Sequence, residues 1–102
     1  MGDNWKIREL MTRYTDRVPV IVKKYKHPET GMKFLVPNDM TLSSFITLMR
    51  KKNQLAPTQS IFVFAGDKKL LSFTDTIRSL YDQHKDKEDI LVLTYAYENV
   101  FG

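Results

Sequence analysis

The sequence predicts an α+β domain: a four-stranded mixed sheet with a main helix crossing one face, a second short helix, and a short helix ahead of the first strand. Three observations predict it. Apolar runs with strand character occupy Arg17–Tyr25, Lys33–Pro37, Ser60–Ala65 and Ile90–Tyr97. The first two are close enough to form a hairpin around His27-Pro28-Glu29-Thr30-Gly31, where Pro sets φ and Gly permits φ > 0. A helical pattern over Thr41–Lys52 then separates the hairpin from the later strands, and a right-handed crossover of this kind returns a strand parallel to the first.

The elements follow in order. Asn4 to Arg13 reads as one short helix, with Asn4 as a cap and Ile7, Leu10 and Met11 on one face. It is too short to hold alone and must dock on the rest. In the first strand Val18, Val20 and Val22 alternate with Pro19 and Ile21, so both faces are apolar and covered. Ile21 lies on the face opposite Val20 and Val22 and needs its own neighbour, the N-terminal helix or a ligand. Pro37 ends the second strand, because proline cannot donate to a ladder. Thr41 is a candidate N-cap for the main helix, whose Leu42, Phe45, Ile46, Leu48 and Met49 form a broad apolar stripe. Arg50, Lys51 and Lys52 fall in its last turn, where cations suit the dipole. Gly66-Asp67 turns the third strand. Asp75 to His84 is the second helix, with Ile77, Leu80 and Tyr81 facing inward.

Composition narrows the function classes. The chain has 102 residues, 42% hydrophobic and 27% charged, an ordinary globular balance that fits one domain. No apolar run approaches membrane-spanning length. Met1-Gly2 opens like a myristoylation site, but Lys6 stands where that motif takes Ser or Thr. The chain contains no cysteine, so disulfides, thiolate metal sites and a catalytic thiol are excluded. His27 in a turn and His84 at a helix end have no nucleophile beside them, and no phosphate-cradling glycine loop or metal spacing occurs, so no enzyme and no cofactor is expected. The net charge is +4 and uneven: residues 1–26 hold seven basic and three acidic side chains, residues 67–102 five and seven. The cationic N-terminal part suits acidic peptides or anionic lipid, or is a solvated face. Nucleic-acid binding would rest on charge alone and is not expected.

The order helix, hairpin, helix, strand, short helix, strand is the β-grasp arrangement of ubiquitin. Four blocks carry a closer resemblance: Asp16-Arg17-Val18-Pro19-Val20-Ile21-Val22, Phe34-Leu35-Val36-Pro37-Asn38-Asp39-Met40-Thr41, Leu80-Tyr81-Asp82-Gln83-His84-Lys85-Asp86 and Tyr95-Ala96-Tyr97-Glu98-Asn99-Val100-Phe101-Gly102. Together they resemble the autophagy ubiquitin-like modifier family, whose animal members are the microtubule-associated light chain and GABA-receptor-associated proteins. The blocks run from residue 16 to residue 102.

That resemblance implies a division into a short N-terminal helical extension (1–15), a β-grasp domain (16–97) and a conjugation tail (98–102). It implies that Gly102 carries a reactive carboxylate with Phe101 as the aromatic grip beside it. Activating and conjugating enzymes would pass the chain on through thioesters to the amine of phosphatidylethanolamine, and a cysteine protease would process and release it. The protein would then be cytoplasmic, and on the autophagosome membrane once lipidated, because a two-chain lipid anchors stably.

It also implies docking of autophagy receptors through aromatic-x-x-aliphatic peptides, often preceded by acids, that add a strand beside Lys33–Val36. The aromatic pocket would use Leu10, Pro19, Ile21, Leu35 and Ile90. The aliphatic pocket would use Phe34, Val36, Pro37, Met40, Phe45 and Leu48. Arg17, Lys33 and Lys52 would meet the acids. Phe45 and Leu48 read equally as core, since a helix stripe normally packs inward.

The chain departs from the family pattern in five places. Its N-terminal region has room for one helix where two are usual. Lys6 falls where an acid is common, and Gly31-Met32 replace lysines, which weakens attraction for acidic peptides. The hairpin loop is shortened. The chain stops at Gly102, where precursors often continue. Two alternatives keep the fold: an adaptor that is never conjugated, and the sister modifier joined to a protein lysine, whose ending typically carries Trp where Phe101 stands.

Overall fold

The hairpin, the crossover and the two later helices build one mixed sheet. The structure is a computed structural model that describes residues 7–52, 55–56, 58–66 and 69–98. The elements are α1 (Ile7–Arg13), β1 (Arg17–Lys24), β2 (His27–Pro37), α2 (Leu42–Lys51), β3 (Ile61–Ala65), β4 (Lys69–Leu70), α3 (Ile77–His84) and β5 (Leu91–Tyr97). The sheet order is β2-β1-β5-β3-β4. β1 pairs antiparallel with β2 and parallel with β5, and β3 pairs antiparallel with β5 and β4. The four expected strands are present, and the two-residue β4 adds a short outer edge beside Phe64 and Ala65.

Strand alternation decides which residues form the core. Val18, Val20 and Val22 of β1, Leu91, Leu93 and Tyr95 of β5, and Ile61, Val63 and Ala65 of β3 are all buried on one face. Leu42, Phe45, Ile46 and Met49 of α2 and Ile77, Leu80 and Tyr81 of α3 close over that face. Each Val, Leu, Ile, Phe or Met among them contributes about 1.5–3 kcal/mol by leaving water. The Phe34 and Phe45 rings meet edge to face, 5.5 Å between centroids at 82°, a geometry that aromatic quadrupoles favour.

The two main helices start side by side. Thr41 Oγ1 accepts from Ser44 N–H at 3.1 Å, and Thr76 Oγ1 accepts from Ser79 N–H at 3.2 Å. Leu42 N–H donates to Asp75 O at 2.9 Å and Ile77 N–H to Met40 O at 2.7 Å. These bonds occupy first-turn donors that a helix cannot satisfy internally.

The hairpin differs from expectation. Lys24 pairs with His27, so the turn is Tyr25-Lys26, with Lys26 at φ 66°. His27–Gly31 are part of β2, and the register shifts between Val22 and Lys24 to accommodate them. Thr30 pins this irregular stretch: its hydroxyl donates to His27 O at 2.7 Å and accepts from Lys24 N–H at 3.0 Å. Gly31 serves a close approach rather than turn geometry: an added Cβ would meet Ile21 Cγ2 at 3.3 Å, a tight contact. Among the described glycines, Gly66 adopts positive φ, at 54°. The expected cap Asn4 and the turn residue Asp67 lie outside the described residues.

Candidate functional site

β2 is an edge strand, hydrogen-bonded on one side to β1. The direction of its backbone groups follows from one bond. Asn38 N–H donates to Asp16 O at 2.9 Å, and this pair continues the register in which Arg17 faces Pro37 and Val18 faces Val36. Hydrogen-bonded and non-bonded pairs alternate in an antiparallel ladder. Phe34 and Val36 therefore bond to β1, while Leu35 turns its N–H and C=O to the open edge. Pro37, with no N–H to offer, occupies another outward position. The Arg17 guanidinium leans over this edge and donates from Nη1 to Leu35 O, at a long 3.4 Å.

Two apolar surfaces flank the edge, one on each face of the sheet. On the face opposite the core, Pro19 faces Leu35, Ile21 faces Lys33 across β2, and Ile21 faces Val92 across β5. Ile90 precedes β5 in the same alternation. Pro19, Ile21, Leu35 and Ile90 are thus brought to one face, and α1, carrying half-buried Leu10, packs against β1. Ile21 and Ile90 are covered rather than open, at 3% and 2% exposure.

On the core face, Phe34 is half-buried against Phe45, and Met40 is half-buried against the same cluster. Val36 and Phe45 are interior, each 2% exposed, and form a floor rather than an accessible lining. The equal weighting of core and pocket resolves to core for Phe45, because it sits on the inward side of α2. Leu48 sits one turn later at the rim, 37% exposed. Pro37 falls out of this group: it lies opposite Arg17, out of alternation with Phe34 and Val36. The cations are also dispersed. Arg17 and Lys33 share the face of Leu35. Lys52 caps the C-terminus of α2, its N–H donating to Leu48 O at 3.0 Å, and stands at the other end of the domain from Arg17.

Sequence reasoning missed two depressions. An open one of about 630 Å³ runs along Glu9, Leu10, Thr12 and Arg13 of α1. Another, of about 300 Å³, lies on the far side of α2 and includes Ile46, Arg50, Ile61 and half-exposed Phe73. Phe73 had no element-level signal, being an aromatic in a turn between β4 and α3. The perturbed phenols lie away from the edge: burial raises Tyr81 and Tyr95, and the Asp89 charge adds to the effect at Tyr81. Among the described residues no group of His, Cys, Asp and Glu is arranged to hold a metal. No helix among them is long and apolar enough to cross a membrane. Phe101 and Gly102 lie outside the described residues.

Residues 3–102 match the family described as autophagy protein Atg8 ubiquitin like. The chain is 36% identical over 97 residues to autophagy-related protein 8 of Emericella nidulans, an alignment covering 91% of this chain and 81% of the relative. It is 37% identical over 94 residues to the protein of the same name from Colletotrichum lindemuthianum, covering 88% and 77%. Its fold matches the crystal structure of Trypanosoma brucei ATG8 with a TM-score of 0.79 at 27% identity, over 92% of this chain and 84% of that one.

Proposed function

The chain belongs to the Atg8 family of ubiquitin-like autophagy proteins, and from that footing we propose that it is a modifier joined through Gly102 to phosphatidylethanolamine and a platform for peptides that dock on the free edge of β2. The observation that carries the first half is that the family match runs through residue 102, taking in the whole tail. Conjugation is a sequence of acyl transfers. ATP converts the Gly102 carboxylate to an acyl-adenylate with loss of pyrophosphate. A thiolate of the activating enzyme displaces AMP, a second thiol exchange passes the chain to the conjugating enzyme, and the lipid amine displaces that thiolate to leave an amide. The protein is the passenger in each step, and its lack of cysteine fits that role. Phe101 is the handle beside the reacting carbonyl, and a cysteine protease is the agent of processing and release. The protein is cytoplasmic before conjugation and autophagosomal after it.

The second half is supported by the geometry of β2. An extended peptide paired with Leu35 alternates its side chains between the two faces of the sheet. Residues three apart then point to opposite faces. An aromatic enters toward Pro19, Ile21, Leu35, Ile90 and Leu10, while an aliphatic residue three positions on meets Phe34, Met40 and Leu48 above Val36 and Phe45. Because Ile21 and Ile90 are covered, the ring enters as α1 yields; a helix of seven residues has little stability of its own to resist this. Arg17 and Lys33 lie on the aromatic side and attract acids that precede it. Lys52 and Pro37 are given a lesser part by their positions.

Incubation with activating and conjugating enzymes, ATP and phosphatidylethanolamine vesicles should give a gel shift for the native chain and none for Gly102→Ala. A native chain left unshifted by enzymes active on another family member would refute conjugation and favour the unconjugated adaptor. A shift on proteins rather than lipid would favour the sister modifier.

A further inference from the structure

The end of the sheet from which the tail departs is also the cationic end of the domain. β1 and β5 run parallel, with Lys24 beside Tyr95, and Tyr25 N–H donates to Tyr95 O at 2.8 Å. Lys24 Nζ stands 5.8 Å from the centre of the Tyr97 ring. The Tyr25-Lys26 turn therefore sits where β5 ends. α2 arrives at the same end from the core face. Arg50 in its last turn donates from Nη1 to Ala56 O at 2.9 Å, and Ala56 N–H donates to the Tyr97 hydroxyl at 3.0 Å. Lys23, Lys24, Lys26, Lys51 and Lys52 thus gather around the exit of β5, together with the acids Glu29 and Glu98.

The other end carries a modest excess of acids, with Arg17, Lys85 and Lys87 interspersed. Asp16 and Asp39 flank the end of the β1–β2 ladder, α3 begins there on bonds to Asn38 O and Met40 O, and the loop holding Asp86, Glu88 and Asp89 leads into the start of β5. The domain is polarised along its strands, and the tail leaves from the positive pole.

We propose that this pole is a membrane-facing surface: Lys23, Lys24 and Lys26 of the hairpin, with Lys51 and Lys52 of α2, engage anionic headgroups and orient the domain on the bilayer to which Gly102 is joined. The proposal rests on the conjugation reading above. A lipid-joined Gly102 lies at most about 14 Å of extended chain beyond Glu98, so the hairpin stays within one or two Debye lengths of the surface, each about 8 Å at physiological salt. At that range each lysine is attracted to an anionic leaflet, and the acidic pole is repelled by it. The two effects turn the molecule the same way, standing the strands upright with the β2 edge reachable from solution. The hairpin is a firm platform for this contact: Thr30 ties it across the strands, and the Tyr25 ring packs 6.3 Å from that of Phe64.

The test bypasses the conjugating enzymes, so that its failure is separate from a failure of conjugation. The chain has no cysteine, so Gly102→Cys couples at one site to a maleimide lipid in phosphatidylcholine vesicles with or without phosphatidylserine. Lysines are then acylated with a water-soluble reagent and their rates read by mass spectrometry. With phosphatidylserine, Lys23, Lys24 and Lys26 should react several-fold more slowly than Lys85 and Lys87, and high salt or pure phosphatidylcholine should erase the difference. Flotation of the untethered chain with the same anionic vesicles should fall by about tenfold or more for K23Q/K24Q/K26Q, and much less for R13Q/K85Q/K87Q, which has the same net charge. Equal labelling of both poles, protection of Lys85 and Lys87 instead, or equal losses in the two triple variants would overturn the proposal.

Discussion

Proline substitution at neighbouring positions of β2 reads the direction of its backbone. Val36 lies opposite Val18 at a hydrogen-bonded position, and both are almost fully buried. Val36→Pro removes a ladder N–H, a net loss of about 0.5–1.5 kcal/mol, and strands the Val18 carbonyl in the core, a further ~1–3 kcal/mol. With ring strain in the strand the total is on the order of 3 kcal/mol or more. Leu35→Pro touches no ladder bond, because its N–H faces the open edge, where proline is tolerated. It forfeits the half-buried leucine contact with Pro19, about 1 kcal/mol, and Leu35→Ala measures that part alone. Urea unfolding of the three variants should therefore rank Val36→Pro far below Leu35→Pro, with Leu35→Pro close to Leu35→Ala. Titration with an aromatic-x-x-aliphatic peptide should separate the last two: Leu35→Pro also loses the donor to the added strand and should bind about tenfold more weakly than Leu35→Ala. If Leu35→Pro is as destabilised as Val36→Pro, the assigned edge direction is wrong. If it binds peptide like Leu35→Ala, the peptide does not pair with this edge.

Thr41→Ala and Thr76→Ala each remove an N-cap acceptor and should cost about 1 kcal/mol in the same unfolding assay. Leu35→Asp, at a half-buried edge position, should weaken peptide binding by about tenfold or more in a titration yet still give the lipid gel shift, whereas Gly102→Ala should do the reverse. Burial first, and Asp89 second, hold the Tyr81 phenol above its ordinary value near 10, and its hydroxyl donates to Asp89 O at 2.9 Å. A raised folded-state value contributes stability that is complete below the unfolded value and is lost as pH rises through the folded one. Thermal melts should thus decline as pH is taken above about 10, and Tyr81→Phe should decline less steeply, keeping only the Tyr95 part.

Alternation made most of this fold legible. Valines at 18, 20 and 22, and Ile61, Val63 and Ala65 in β3, commit one face of each strand to the core whatever the partner strand is, so the strands and the buried face were readable from local pattern. The hairpin turn was not, because Pro28 and Gly31 are turn-forming residues used for other ends. Pro28 sits in an irregular stretch of an edge strand, and Gly31 makes room for Ile21. Lys26, which adopts the left-handed turn conformation, has no composition signal for it. At the candidate site, the facing of Pro19 with Leu35 follows from hairpin register and was inferable. That Ile21 and Ile90 would be covered depends on tertiary packing, which single-strand patterns do not carry; Pro37's place on the face opposite Phe34 and Val36, by contrast, follows from alternation alone.

Sheet order separates the two proposed activities physically. β2 is an edge, so a peptide can pair with it without disturbing any existing bond. β5 lies between β1 and β3, and a strand held on both sides makes a fixed base for a tail. Glu98 N–H donates to Ser60 O at 2.9 Å, continuing the β3–β5 pairing to the point of exit. A pull on the tail is therefore met by hydrogen bonds on two flanks rather than by a fraying edge. The same order leaves β1 between the peptide edge and the strand that carries the tail. Occupancy of one site then has no backbone bond in common with use of the other, and a receptor can bind while the carboxyl end is committed elsewhere. Coupling between them would pass through β1 side chains or through α2, where Phe45 meets Phe34 and Arg50 bonds Ala56, which in turn bonds the Tyr97 hydroxyl. Val18, Val20 and Val22 are packed into the core on one side, and a close-packed interior shifts little for a peptide added at its margin.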